Sequence, residues 1–139
     1  MKFSIIVAAY NVERYIGECL ESLKAQTFDD FECVVVNDCS QDGTLAAIES
    51  SVSGDARFSV LTLPQNSGLS AARNAGIAAA QGEFIMFLDG DDYYAVDALE
   101  RLTARIDADK LDMLYSGAAS FYESRKLRRE HYENQEVRE

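Results

Sequence analysis

Two apolar runs with almost no polar interruption, Phe3 to Ala9 and Phe31 to Val36, constrain this chain more than any other feature. A strand with one wet face alternates apolar and polar residues. A run that is apolar throughout suits a strand buried on both faces, as in parallel sheets. Each run ends abruptly in polar residues, Tyr10-Asn11 after the first and Asn37-Asp38 after the second.

Between such runs the spacing changes. Val12, Tyr15, Ile16, Cys19, Leu20 and Leu23 recur at three and four, which predicts an amphipathic helix with Asn11 as a candidate cap. Ser40 to Thr44 reads as a turn and helix start, and Leu45 to Val52 as a short helix. Phe58 to Leu63 reads as a third strand, ended by Pro64. Asn66-Ser67-Gly68 opens a helix to about Ala80, rich in small residues that permit close approach to a sheet. Phe84 to Leu88 has the composition of a fourth, buried strand. Asp97 and Glu100 match a capping box before the apolar stripe of Leu99, Leu102 and Ile106. Leu111 to Ala118 reads as a fifth strand.

Strand and helix in alternation predict an α/β fold, a doubly wound and mostly parallel sheet. At 139 residues the chain suits one domain, expected over residues 1–120. Residues 121–139 read as a charged tail, a frayed helix or a disordered end, with five basic and five acidic residues from Glu123 onward.

Charge narrows the function. A net charge of −11 disfavours nucleic acid or an anionic membrane as partner for a general basic face. No apolar run reaches 18 residues, so no transmembrane segment is expected. Met1-Lys2 and the run after it fit a secretion signal poorly, because polar Asn11, Glu13 and Arg14 follow without a clear cleavage region. Cys19, Cys33 and Cys39 are odd in number and lack a C-x-x-C pair. On a strand that runs to Asn37, Cys33 would stand roughly 20 Å from Cys39, beyond disulfide reach. Reduced thiols in the cytoplasm are the expectation, at least two of them acting as small buried apolar residues.

The strand ends of a parallel sheet converge on one edge, where ligands of such folds sit. Here that edge would collect Ala8, Ala9 and Tyr10, then Asn37 and Asp38, then Asp89, Asp91 and Asp92, with Gly68 and Arg73 from the helix after the third strand. Three carboxylates within four positions repel one another unless a cation lies between them. Mg²⁺ or Mn²⁺ suits one or two such acids together with diphosphate oxygens. An aromatic ring can lie against a base, a carboxylate can accept from a base or ribose, and Arg and a helix N-terminus favour phosphate. Plainer roles stand beside these: Tyr10 as packing, Asp38 as a cap or turn residue, Arg73 as a surface residue or a partner for Asp38.

Other patterns fail. From Asp89 an EF-hand would need an oxygen ligand and a Gly where Tyr93 and Tyr94 stand. A dinucleotide fold would need G-x-G-x-x-G after the first strand, where Ala8-Ala9-Tyr10-Asn11-Val12 stands. A phosphoacceptor receiver would need acids at the end of its first strand, and there are none.

FSIIVAAYN from Phe3, VVVNDCSQDGT from Val34, NSGLSAARNAGI from Asn66 and GEFIMFLDGDD from Gly82 together resemble the N-terminal half of family 2 glycosyltransferases, over about residues 3–118. The resemblance implies a GT-A, Rossmann-like sheet, here truncated, that binds a nucleotide-sugar donor, usually a UDP-sugar, through an Asp-x-Asp motif and Mn²⁺ or Mg²⁺. It implies that Ala8 to Tyr10 cradle the base, that Asp38 hydrogen-bonds it, and that Arg73, with Gly68 in the same segment, lies near the phosphates. Asp89 would face the ribose and Asp91 the metal, with Asp92 in support. The family commonly has Pro at the position of Ala8 and Asp at that of Asn37. It also implies inverting transfer of a hexose-type sugar to a glycan or lipid-linked acceptor in polysaccharide synthesis, in the cytoplasm or at the inner face of the membrane. The family's catalytic base lies further along than any acid with a matching context here, so no catalytic residue is assigned. Two alternatives are a non-catalytic nucleotide-binding module and a phosphatase-like hydrolase built on the Asp-x-Asp pair.

Overall fold

The computed structural model describes residues 1–114 and the backbone of residues 118–122 and 125–131. Four strands, β1 (Phe3–Ala9), β2 (Phe31–Asn37), β3 (Phe58–Thr62) and β4 (Phe84–Asp89), form one sheet in the order β3-β2-β1-β4. Every pair in it is parallel. The helices α1 (Ile16–Lys24), α2 (Thr44–Val52) and α3 (Leu69–Ala79) connect consecutive strands, as βαβ crossovers require. The α/β doubly wound reading is therefore the observed one.

β1 is buried at all seven positions, which explains why its run is apolar but for Ser4. Ile6, Ala8, Val34 and Val36 form one face of the sheet's centre, on which Ala72 of α3 packs with Ala75 and Ala79 beside it. α3 comes close because Gly76 has no side chain: a Cβ there would stand 2.3 Å from Ile6 Cγ2. α1 and α2 pack on each other. Their right-handed crossovers put them on the opposite face, since β1→β2→β3 steps one way along the sheet and β3→β4 steps back.

Several expectations change. Phe84 to Leu88 is a strand but not a fully buried one. β4 is an edge of this sheet, and Ile85 and Phe87 are each 43% exposed. By register they share the face of Ser4 and Ile6, and α3 on that face lies over β1 and β2. Asn11 does not cap α1, which starts at Ile16 with Tyr15 at its N-cap. Asn11 instead takes a left-handed conformation, φ 51°, and its Oδ1 accepts the N–H of Gln41.

The start of α4 (Ala98–Asp109) is tied down by Gln26, which is buried. Its Oε1 accepts the Leu99 N–H, and its Nε2 donates to the carbonyls of Ala95 and Ser22. Contacts divide the chain into a unit of residues 1–99 and a unit of residues 100–139. In the second unit the expected strand from Leu111 is absent over residues 111–114, and residues 115–117 lie outside the described residues. β5 is Ala118–Tyr122 and pairs antiparallel with β6, Arg125–His131, where a frayed or disordered tail was expected. Residues 132–139 of that tail lie outside the described residues.

Candidate functional site

The C-terminal ends of the strands meet at one edge because the register is parallel throughout: Ala8 pairs with Val36 and Asp89, and Asn37 with Thr62. Beyond that edge two connections are stitched together. Asn11 N–H donates to Ser40 Oγ, Val12 N–H to Thr44 Oγ1 over 2.8 Å, and Gly43 N–H to Glu13 Oε2. Asn37, also buried, accepts the Ser40 N–H and hydroxyl on its Oδ1. These bonds hold the β1–α1 and β2–α2 loops as one wall.

Against this wall lies a cleft of about 320 Å³ lined by Ala8, Ala9, Tyr10, Asp38, Asn66, Gly68, Leu69 and Ala72. That volume falls at the small end for ligand pockets. Tyr10 is 44% exposed and has ring surface to offer. Asp38 is only 3% exposed, and it has partners. Its Oδ1 accepts the Ser67 N–H over 2.8 Å and its Oδ2 the Gly68 N–H over 2.7 Å. The carboxylate thus fixes the entry to α3, and of its roughly four acceptor positions two are used. Gly68 sits at φ 86°, ψ 166°, a region essentially closed to residues with a Cβ.

Four of the expected site residues, Ala8, Tyr10, Asp38 and Gly68, therefore share this cleft. Arg73, Asp89 and Asp91 do not line it. Asp89 stands beside it through its pairing with Ala8, and its Oδ1 accepts from Arg73 Nη2 over 2.8 Å. The Arg73 guanidinium lies 5.3 Å over the Phe87 ring, one turn into α3. Arg73 is thus partnered with Asp89 and not with Asp38. Asn66, Leu69 and Ala72 line the cleft without having been expected there. Their signal was their place around Gly68 at a strand-to-helix connection.

The β4 strand ends in a tight turn. Asp92 N–H donates to the Asp89 carbonyl, and Gly90 N–H to the Ala8 carbonyl. A Cβ on Gly90 would stand 3.1 Å from both that carbonyl oxygen and Val12 Cγ2. Burial, then the charges of Asp91 and Asp89, raise the Asp92 carboxyl above its ordinary range. The Cys19 thiol, whose Sγ faces the Asp89 carbonyl, is pushed up to about 12 by burial and by Asp92, Asp91 and Asp89. It is protonated at neutral pH, and no thiolate chemistry follows. All three cysteines are free, with Cys19 and Cys33 buried as small apolar residues.

The three acids are not drawn into one ligand cluster: among the described residues no group of three or more His, Cys, Asp or Glu is placed to hold a metal ion. The donor set still fits a hard cation in a narrower way. Asp89 and Asp91 offer only oxygen, and Mg²⁺ or Mn²⁺ commonly takes one or two protein carboxylates and completes its shell with phosphate oxygens and water. Among the described residues no helix is long and apolar enough to cross a membrane.

The chain is 43% identical over 120 residues to the putative glycosyltransferase EpsH of Bacillus subtilis (strain 168), covering 86% of this chain and 34% of that protein. It is 44% identical over 117 residues to the poly(ribitol-phosphate) β-N-acetylglucosaminyltransferase TarS of Staphylococcus aureus (strain Mu50 / ATCC 700699), covering 82% of this chain and 20% of TarS. The chain thus spans about a third or less of these relatives. A crystal structure of S. aureus TarS residues 1–349 in complex with UDP-GlcNAc matches at TM-score 0.74 and 44% identity, over 78% of this chain and 32% of that one. The mannosyltransferase PcManGT from Pyrobaculum calidifontis, in complex with GDP-Man and Mn²⁺, matches at TM-score 0.70 and 25% identity, over 76% of this chain and 32% of that one. The sheet is that of the GT-A glycosyltransferases. The family model for glycosyl transferase family 2 matches residues 4–138, and the chain belongs to that family.

Proposed function

We propose that this chain binds the nucleotide-sugar donor of a glycosyltransferase, with UDP as the nucleotide. The observation that carries this reading is the meeting of Tyr10, Asp38 and the start of α3 around one cleft, with Asp89 beside it through its pairing with Ala8. The likeness to a UDP-GlcNAc-bound chain supports uracil as the base.

Each residue then has a task. The Tyr10 ring stacks on the base, and the backbone of Ala8 and Ala9 bounds it. Asp38 accepts a base N–H on a lone pair left over from Ser67 and Gly68. Gly68, lacking a Cβ, and the N–H groups at the start of α3 admit and favour phosphate. Arg73 adds positive charge on the phosphate side, and Asp89 accepts from a ribose hydroxyl. Mn²⁺ or Mg²⁺ would be held by Asp91 with Asp89, and when bound it supplies neutralisation of the charge on the leaving diphosphate.

Transfer in the complete enzyme would be inverting. An acceptor hydroxyl oxygen on a glycan or lipid-linked acceptor bonds to the anomeric carbon of a hexose-type sugar as the bond to the diphosphate oxygen breaks. The hydroxyl proton passes to a base not among the residues named here. The three free cysteines support a cytoplasmic setting for this chemistry.

Calorimetry with UDP, GDP and CDP in the presence of Mn²⁺ tests the donor reading. UDP is expected to bind most tightly. Equal binding of all three, or binding of none, contradicts it.

A further inference from the structure

The contact between Arg73 and Asp89 is single. Only Arg73 Nη2 meets Asp89 Oδ1, whereas a fork-on-fork pair would also use the other guanidinium donors. Arg73 Nε is buried without any hydrogen-bond partner. A desolvated donor lacking an acceptor is a cost that another orientation of the side chain would relieve. The Phe87 ring supports the guanidinium from below without taking its hydrogen bonds. Asp89 is also one of the two acids assigned above to the ribose and the cation. Its carboxylate therefore faces two rival counter-charges, Arg73 or a divalent ion.

We propose that Arg73 is a donor-responsive counter-charge: it competes with the divalent cation for Asp89, and the diphosphate of a bound nucleotide draws it away, so that cation and diphosphate bind cooperatively. The inference rests on the donor-binding reading above. A diphosphate presents several anionic oxygens to the guanidinium fork, a better partner than one carboxylate oxygen. Once the guanidinium turns to it, Asp89 is released to ribose and metal. Coupling by this route is reciprocal, so the cation must raise nucleotide affinity by the factor that the nucleotide raises cation affinity.

The test uses the whole chain as wild type, Arg73→Met and Arg73→Lys. Free Mn²⁺ is followed by electron paramagnetic resonance, and UDP binding by calorimetry, each probe alone and then together. In wild type UDP should tighten Mn²⁺ binding roughly tenfold or more. Arg73→Met keeps an apolar stem over Phe87 but no charge, and should move the single affinities in opposite directions. Mn²⁺ alone binds roughly three- to tenfold tighter, and UDP alone binds weaker by a similar factor. Arg73→Lys should leave Mn²⁺ alone near wild type, because the charge is kept, and should lower the cooperativity. Misfolding weakens both probes, so opposite shifts cannot come from it. Should Arg73→Met fail to fold, Arg73→Lys decides: tighter Mn²⁺ binding or unchanged cooperativity overturns the proposal. If wild type binds UDP with Mn²⁺ but Arg73→Met leaves Mn²⁺ alone unchanged or weaker, this inference is overturned and the donor reading stands. If wild type binds no UDP with Mn²⁺, both are overturned.

Discussion

Gly68 donates its N–H to Asp38 Oδ2 over 2.7 Å while holding φ 86°, so the acid after β2 and the entry to α3 are one structural unit. Asp38 is both a candidate base acceptor and the anchor of the loop that would face the phosphates.

Asp38→Asn separates charge and shape. Asn keeps one acceptor oxygen, so either the Ser67 or the Gly68 N–H loses its partner. Losing a part-buried hydrogen bond to a charged group costs about 1.5–3 kcal/mol. A lower midpoint in urea and at least tenfold weaker UDP binding are expected together. Weaker binding with unchanged stability would mean that Asp38 acts on the ligand alone.

Gly68→Ala and Gly76→Ala should both destabilise, for different reasons. No heavy atom outside its chain neighbours lies within 4 Å of a Cβ on Gly68, so its cost is backbone strain, about 1–3 kcal/mol. A Cβ on Gly76 would meet Ile6 Cγ2 at 2.3 Å, forcing α3 off the sheet at a cost of about 1–3 kcal/mol or more. Thermal melts measure both losses. Only Gly68→Ala should also disturb the cleft directly, seen as weaker UDP binding at a temperature where both variants are folded.

The Cys19 thiol gives the stability profile an alkaline limb. Its folded value is pushed up to about 12 from an ordinary 9.0, first by burial and then by Asp92, Asp91 and Asp89. The folded state therefore holds a proton that the unfolded state has released. Its contribution is full below pH 9 and is lost as pH rises towards 12. Urea melts across that range should show stability falling with pH, and Cys19→Ala should fall less steeply. Cys33 and Tyr94 shift in the same direction, so the slope should diminish and not vanish.

β1, β2 and the helical face of Ile16, Cys19, Leu20 and Leu23 were legible because burial there is written into the residues themselves. The abrupt end of β4 in Asp89, Asp91 and Asp92 was legible as a strand end, but the expected gathering of all three acids around a cation was not: among the described residues they do not form one ligand cluster. Strand order was not legible either, and it decides the environment of β4: an apolar run reads alike at a sheet's centre and at its edge, so the 43% exposure of Ile85 and Phe87 stayed hidden. The partner of Arg73 depends on where α3 lies across the sheet, so the expected pairing with Asp38 gave way to one with Asp89. Asn11 carries the side chain of a good cap, but a left-handed backbone turned it to Gln41.

Tyr10 should matter through its ring more than its hydroxyl. Stacking a base on an aromatic face is worth about 1–3 kcal/mol. Tyr10→Ala is expected to weaken UDP binding by that amount in calorimetry, and Tyr10→Phe to change it little. A large loss in Tyr10→Phe would assign the contact to the hydroxyl instead.

UDP binding with and without Mn²⁺, in wild type and Asp91→Ala, tests the metal–nucleotide site most directly. The expected result is tight binding that needs both the cation and Asp91, with Asp91→Ala binding UDP as wild type does without metal. UDP affinity indifferent to Mn²⁺ and to Asp91→Ala would contradict it.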